Sequence, residues 1–212
     1  MHTPSRSSFL IAGIAVASLV GSGQALAYGA GDVYTRIGVA KVSPKGGNGT
    51  LDTALGDLAV DVQDKTDFAF TLGYRFHDKF GVELLAALPF EHDIHLNGAN
   101  IASTKHLPPT LTLQYYPLGG SDSRVQPYAG VGVNYTRFSS EQVDIEGVDL
   151  HLDNSWGAAG QVGVDLLIDE HWALNAAAWY LDIDTDASVG GSAAGSVEID
   201  PVVVMAGVSY RF

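Results

Sequence analysis

The chain has no cysteine, so no disulfide holds it in whatever compartment it occupies. Basic residues are scarce. Eleven Lys and Arg stand against 24 Asp and Glu, for a formal charge of −13, which excludes a nucleic-acid partner. After the N-terminal segment, no stretch approaches the roughly 20 consecutive apolar residues that a membrane-spanning helix needs. No G-x-S-x-G nucleophile motif occurs, so the commonest hydrolase signature is missing. A helical period is missing too, and strands must build the fold.

What the chain does have begins with an export signal. Arg6 precedes an apolar run from Phe9 to Val20, followed by Ala25-Leu26-Ala27. This is the pattern of a secretory leader cleaved at an A-x-A site, and it divides the chain into a signal, 1–27, and a barrel, 28–212. The run is too short for a membrane anchor.

The rest alternates with a period of two. At the C-terminus, Val202, Val204, Ala206, Val208, Tyr210 and Phe212 share one parity; Met205, Gly207, Ser209 and Arg211 share the other. A soluble protein rarely leaves such an aromatic terminal strand uncovered, whereas a closed barrel has no edge and points its apolar face at lipid. Eight stretches alternate in this way: 32–42, 66–76, 80–90, 107–116, 125–138, 154–168, 171–183 and 197–212. Long acidic connections (43–65, 91–106, 139–153, 184–196) alternate with short turns. The expectation is an all-β, eight-stranded antiparallel up-and-down transmembrane β-barrel. Its short turns lie in the periplasm, and its acidic connections form solvated loops outside. Trp172 and Tyr180 share a face eight residues apart. They would stand roughly 21 Å apart along the barrel axis, near the height of a lipid band with aromatic girdles.

The inward parity sorts by height. Toward the periplasm it is polar: Arg36, Arg75, Glu83, Gln114, Gln161, Asp165, Asn175, Ser209 and Arg211. These predict a paired polar plug, with Arg75 and Glu83 placed to pair across the turn between them. Toward the outside it is apolar: Leu85, Ala87, Phe138, Trp179, Leu181, Ile183, Val203 and Met205. Such an interior would take a small hydrophobic ligand, with Leu85 and Trp179 as the constriction. A closed plug below it would turn the ligand sideways into the bilayer. Pro108, Pro109 and Pro201 lack ladder donors, so their strands are the expected weak points.

The segments GVELLAALPF (81–90), HLPPTL (106–111), PYAGVGVNYT (127–136), SWGAAGQVGVD (155–165), WYLDIDT (179–185) and the closing YRF resemble the outer membrane protein W (OmpW) family. The resemblance covers essentially all of 28–212 and departs mainly in the long connections. It implies an eight-stranded outer-membrane barrel with a narrow, partly apolar lumen. Its members are thought to pass small hydrophobic compounds or to act in stress responses. The terminal Phe212, two places after Tyr210, also resembles the end signal read by the barrel-assembly machinery of Gram-negative bacteria.

The expected partners are the lipid bilayer, lipopolysaccharide and a small hydrophobic ligand; no cofactor is expected. Asp182, Asp184 and Asp186 share a parity at the outer rim, where they would be solvated or hold cations shared with lipopolysaccharide. His92 and His95 would point to opposite faces of a strand, so no metal site is expected there. Two other function classes remain. One is a surface receptor or adhesion barrel whose loops carry function. The other is a lipid-modifying enzyme using His106, Ser103 or Asp93, whose mutual geometry the sequence does not fix.

Overall fold

The computed structural model describes residues 29–53, 56–87, 90–96, 99–107, 109–143 and 150–212. The expected leader lies outside them. In chain order the strands begin with β1 (Val33–Ser43), β2 (Gly49–Thr53), β3 (Gly56–Val62), β4 (Lys65–His77) and β5 (Phe80–Ala87). They continue with β6 (Phe90–Leu96), β7 (Ala99–Leu107), β8 (Thr110–Tyr115), β9 (Val125–Val143) and β10 (Leu150–Leu152). The last five are β11 (Ser155–Leu167), β12 (Trp172–Leu181), β13 (Asp184–Val189), β14 (Ser192–Glu198) and β15 (Val202–Arg211).

Eight of these close a barrel. β1 pairs with β4, β4 with β5, β5 with β8 and β8 with β9. β9 then pairs with β11, β11 with β12, β12 with β15, and β15 returns to β1, every pairing antiparallel. Closure satisfies the backbone without exposing an edge, which a lipid environment demands. No described helix is long and apolar enough to cross a membrane.

The alternating residues stand as their parity requires. On β4, Phe68, Phe70, Leu72, Tyr74 and Phe76 are exposed, whereas Ala69, Thr71 and Arg75 are buried inside. In a soluble sheet, an outward face this apolar would aggregate; in a membrane it meets hydrocarbon. Aromatic contacts gather at both ends of the wall. Trp172, Tyr210 and Phe212 pack at centroid distances of 4.8 and 5.2 Å near the short turns. Tyr135 and Trp156 meet at 4.7 Å near the far end.

Both described chain ends lie with the short turns. Gly31 N–H donates to Arg75 O at 2.7 Å and Phe212 N–H to Val33 O at 3.0 Å. Two inward glycines make room for rings: a Cβ on Gly73 would collide with Tyr34, and one on Gly163 with Tyr128.

The long connections correct the expectation of solvated loops. They form a second tier in which the top of β9 pairs with β7, β7 with β6, β6 with β3 and β3 with β2. β2 in turn pairs with β14, β14 with β13 and β13 with β10. On β3 the acids are solvated, but they occupy outward positions of a strand. Asp57 and Asp61 are exposed while Val60 and Val62 are buried. The charge density of these segments concealed the same period of two. Asn48 is buried between the tiers, donating to Glu198 O and accepting from Val62 N–H, both at 2.8 Å.

Candidate functional site: the barrel interior

The lower interior is an ion-paired network centred on Arg36. From β1 its guanidinium reaches Asp165 on β11 through two nitrogens, Nε at 3.2 Å and Nη2 at 2.6 Å, and Nη1 donates to Glu83 on β5. All three side chains are almost wholly buried. Glu83 also accepts from Thr71 (2.9 Å), Gln114 (2.9 Å) and Gln161 (2.7 Å); Asp165 also accepts from Asn175 (2.8 Å). Such extra donors are what make a buried ion pair tolerable.

Tyrosines enclose the cations. The Arg36 guanidinium carbon lies 4.4 Å from the Tyr34 ring centre and 4.5 Å from that of Tyr128, and Arg75 lies 3.8 Å over Tyr116. The Tyr34 and Tyr116 hydroxyls donate to Gln114 Oε1 at 2.6 and 2.5 Å. With Arg36 and Arg75 against Glu83 and Asp165, the formal charges of the buried plug balance.

Above Gln161 the interior turns apolar. Leu85, Phe138, Trp179, Leu181, Ile183, Val203 and Met205 are at most 6% exposed, so side chains fill the lumen at this height. They belong to one hydrophobic cluster that continues upward into Leu51, Val60, Val62, Leu152 and Val197 of the second tier. One polar stripe interrupts it. Thr136 Oγ1 donates to Asn134 Oδ1 at 2.7 Å, and Asn134 Nδ2 donates to Thr110 Oγ1 at 2.9 Å.

The pattern of the OmpW family matches residues 29–212. The chain belongs to the OmpW family. It is 44% identical to outer membrane protein W of Salmonella typhi, over 96% of this chain and 99% of that one. The crystal structure of the outer membrane protein OprG from Pseudomonas aeruginosa superposes with a TM-score of 0.81 at 39% identity, covering 89% of this chain and 99% of that one. A more distant relative is the dibenzothiophene metabolism operon protein DoxH of Pseudomonas sp. strain C18, 29% identical over 73% of this chain and 75% of that one. This member of the OmpW family is therefore an integral outer-membrane barrel whose outer wall contacts lipid.

Within this OmpW-family barrel, Arg36, Glu83, Gln161 and Asp165 form one contact network, together with Gln114 and Asn175. Two plug expectations need correction. Arg75 does not pair with Glu83, because Glu83 stands opposite Gly73 in the ladder and is engaged by Arg36. Arg75 instead donates to the Asp78 carbonyl and stacks on Tyr116. Arg211 lies outside the network, at the periplasmic rim, where it pairs with Asp32 at 3.2 Å.

Sequence reasoning missed Tyr34, Tyr116 and Tyr128, although they share inward parity with Arg36, Gln114 and Gln126 respectively. It also missed the Asn134 stripe, which the same parity test on β9 would have found.

At the outer rim, the acids that converge are Asp182, Asp184 and Asp200, with carboxylate oxygens within 4.8 Å of one another. Asp186 lines a separate open surface pocket of about 590 Å³ with Asp153. Burial, then the neighbouring acids, raise the Asp184 pKa. Lys45 bridges Asp200 at 2.9 Å and Glu198.

The proline expectations divide. Pro109 O accepts from Tyr135 N–H and Pro201 O from Leu181 N–H, both at 3.1 Å, so the β8–β9 and β12–β15 seams are bridged there. Pro108 lies outside the described residues, as do the side chains of Ala87, His92, Asp93, His95, Ser103 and His106.

Proposed function

We propose that the barrel carries small hydrophobic molecules passively from the cell exterior into the outer membrane. The observation behind this reading is the largely apolar interior that begins in the second tier, is crossed by the Thr110–Asn134–Thr136 stripe, and stops on the ion-paired plug. A greasy solute gains by entering such an interior, and a network of buried charges refuses it. In the resting state Leu85 and Trp179 fill the passage with Leu181, Ile183, Met205 and Phe138, and these side chains must move for a solute to pass. DoxH bears the name of an operon for metabolism of a polycyclic aromatic compound, which fits a hydrophobic cargo.

Because the plug blocks the axial route, the cargo leaves sideways. The carbonyls of Pro109 and Pro201 bridge the β8–β9 and β12–β15 seams, so a lateral exit there requires those bonds to open. The reading is non-enzymatic. Lipopolysaccharide surrounds the outer rim, and the exposed Phe212 is offered to the assembly machinery.

The test places a charge in the passage. Leu85→Glu and Trp179→Glu, each verified as a folded barrel by heat-dependent gel mobility, should abolish protein-dependent uptake of a hydrophobic fluorescent probe by cells. Uptake at the wild-type rate through either folded variant removes the proposal.

A further inference from the structure

Trp179 is 1% exposed, and its indole Nε1 is shielded from solvent with no hydrogen-bond partner among the described residues. A buried donor left in this state is destabilised by roughly 1–3 kcal/mol, and buried tryptophan N–H groups ordinarily find an acceptor. The surroundings explain why this one does not. Trp179 registers with Gln161 on one side and Val203 on the other. The Gln161 carbonyl oxygen already accepts from Thr112 at 2.9 Å and Gln114 at 2.8 Å, and Val203 offers no acceptor in its side chain. Trp156 and Trp172 differ: they face outward at 73% and 45% exposed, where an indole N–H meets water or lipid headgroups.

We propose that Trp179 selects the cargo through this N–H: the preferred ligands are small apolar molecules carrying one acceptor oxygen, most simply a ketone, rather than bare hydrocarbons. The inference rests on the uptake reading, because the ligand must reach the apolar interior. A hydrocarbon entering there leaves the donor unmet. A ketone of the same shape places its oxygen on Nε1 and its hydrocarbon body against Leu181 and Met205. The residue that narrows the passage thereby discriminates within it.

The test uses the full-length barrel in lipid nanodiscs with isotope-labelled tryptophan and two probes of matched cage shape, camphor (a ketone) and bornane (its parent hydrocarbon). The chain has 3 Trp residues, and the Trp179 indole resonance is the one that disappears in Trp179→Phe. Camphor should move that indole proton downfield; bornane at equal occupancy should not. Trp179→Phe keeps an aromatic ring and loses the donor. It should weaken camphor binding roughly tenfold, which corresponds to about 1.4 kcal/mol, and bornane binding less than twofold.

If both probes enter and the indole proton ignores camphor, or Trp179→Phe weakens both equally, the donor role is overturned while the uptake reading stands. If neither probe perturbs any interior resonance of the wild-type protein, both fall. Should Trp179→Phe not fold, the wild-type comparison of camphor with bornane still decides, with the outward indoles assigned from Trp156→Phe and Trp172→Phe.

Discussion

Arg36→Met should be the most damaging single substitution in the barrel. It keeps a long apolar stem and deletes the guanidinium. Three hydrogen bonds to carboxylates go with it, two to Asp165 and one to Glu83. Removing one partner of a buried ion pair costs about 3–5 kcal/mol, because the charge left behind has neither water nor counter-ion.

The two acids are not left equally exposed to that penalty. Glu83 retains donors from Thr71, Gln114 and Gln161. Among the described residues, Asp165 retains Asn175 as its side-chain donor. In the Arg36→Met background, Asp165→Asn should therefore restore more stability than Glu83→Gln, and both amides together more than either. The assay is urea unfolding from lipid vesicles, followed by tryptophan fluorescence and heat-dependent gel mobility. An Arg36→Met barrel within about 1 kcal/mol of wild type, or better rescue by Glu83→Gln, would refute the reasoning.

Three further outcomes are expected. Gly73→Ala and Gly163→Ala drive a methyl into the Tyr34 and Tyr128 rings; each should lower stability by roughly 1–3 kcal/mol as overpacking, and Tyr34→Ala should relieve the Gly73 variant in a double-mutant cycle. Asn48→Ala orphans the Glu198 carbonyl and the Val62 amide; limited proteolysis should then cut the second tier while the barrel keeps its heat-dependent mobility. Asp169 accepts from His171 and Trp172 amides, which lower its pKa. A carboxylate with a depressed folded pKa adds stability above its unfolded pKa and loses it as pH falls through the folded value. Asp169→Asn should therefore flatten the loss of unfolding midpoint measured below about pH 4.

The barrel was legible because every wall strand carries the alternation that lipid demands. Phe68 to Phe76 and Val202 to Phe212 need no tertiary knowledge to be read. The second tier was not legible, because its strands are short, shift register at Ile94/His95 and Ala187/Ser188, and carry outward acids that imitate loop composition.

Inside the barrel, parity gave the side on which each residue stands but not its partner. Arg75 and Glu83 flank one turn, yet the partner of Glu83 comes from β1, 47 residues earlier in the chain. Partner choice depends on closing the barrel, which brings β1, β5 and β11 around one volume. The orphaned Trp179 donor is likewise invisible in sequence, because it depends on Gln161 being fully occupied by Thr112 and Gln114.

The central claim is that cargo crosses an oily interior and leaves through the wall, while the charged plug keeps the axis shut. Vesicles with lipopolysaccharide in the outer leaflet test it when a membrane-sensitive hydrophobic dye and potassium efflux are followed together. The protein should speed the arrival of dye in the bilayer and leave potassium permeability at that of empty vesicles. Potassium efflux that rises with protein content, or dye arrival that does not, would contradict it.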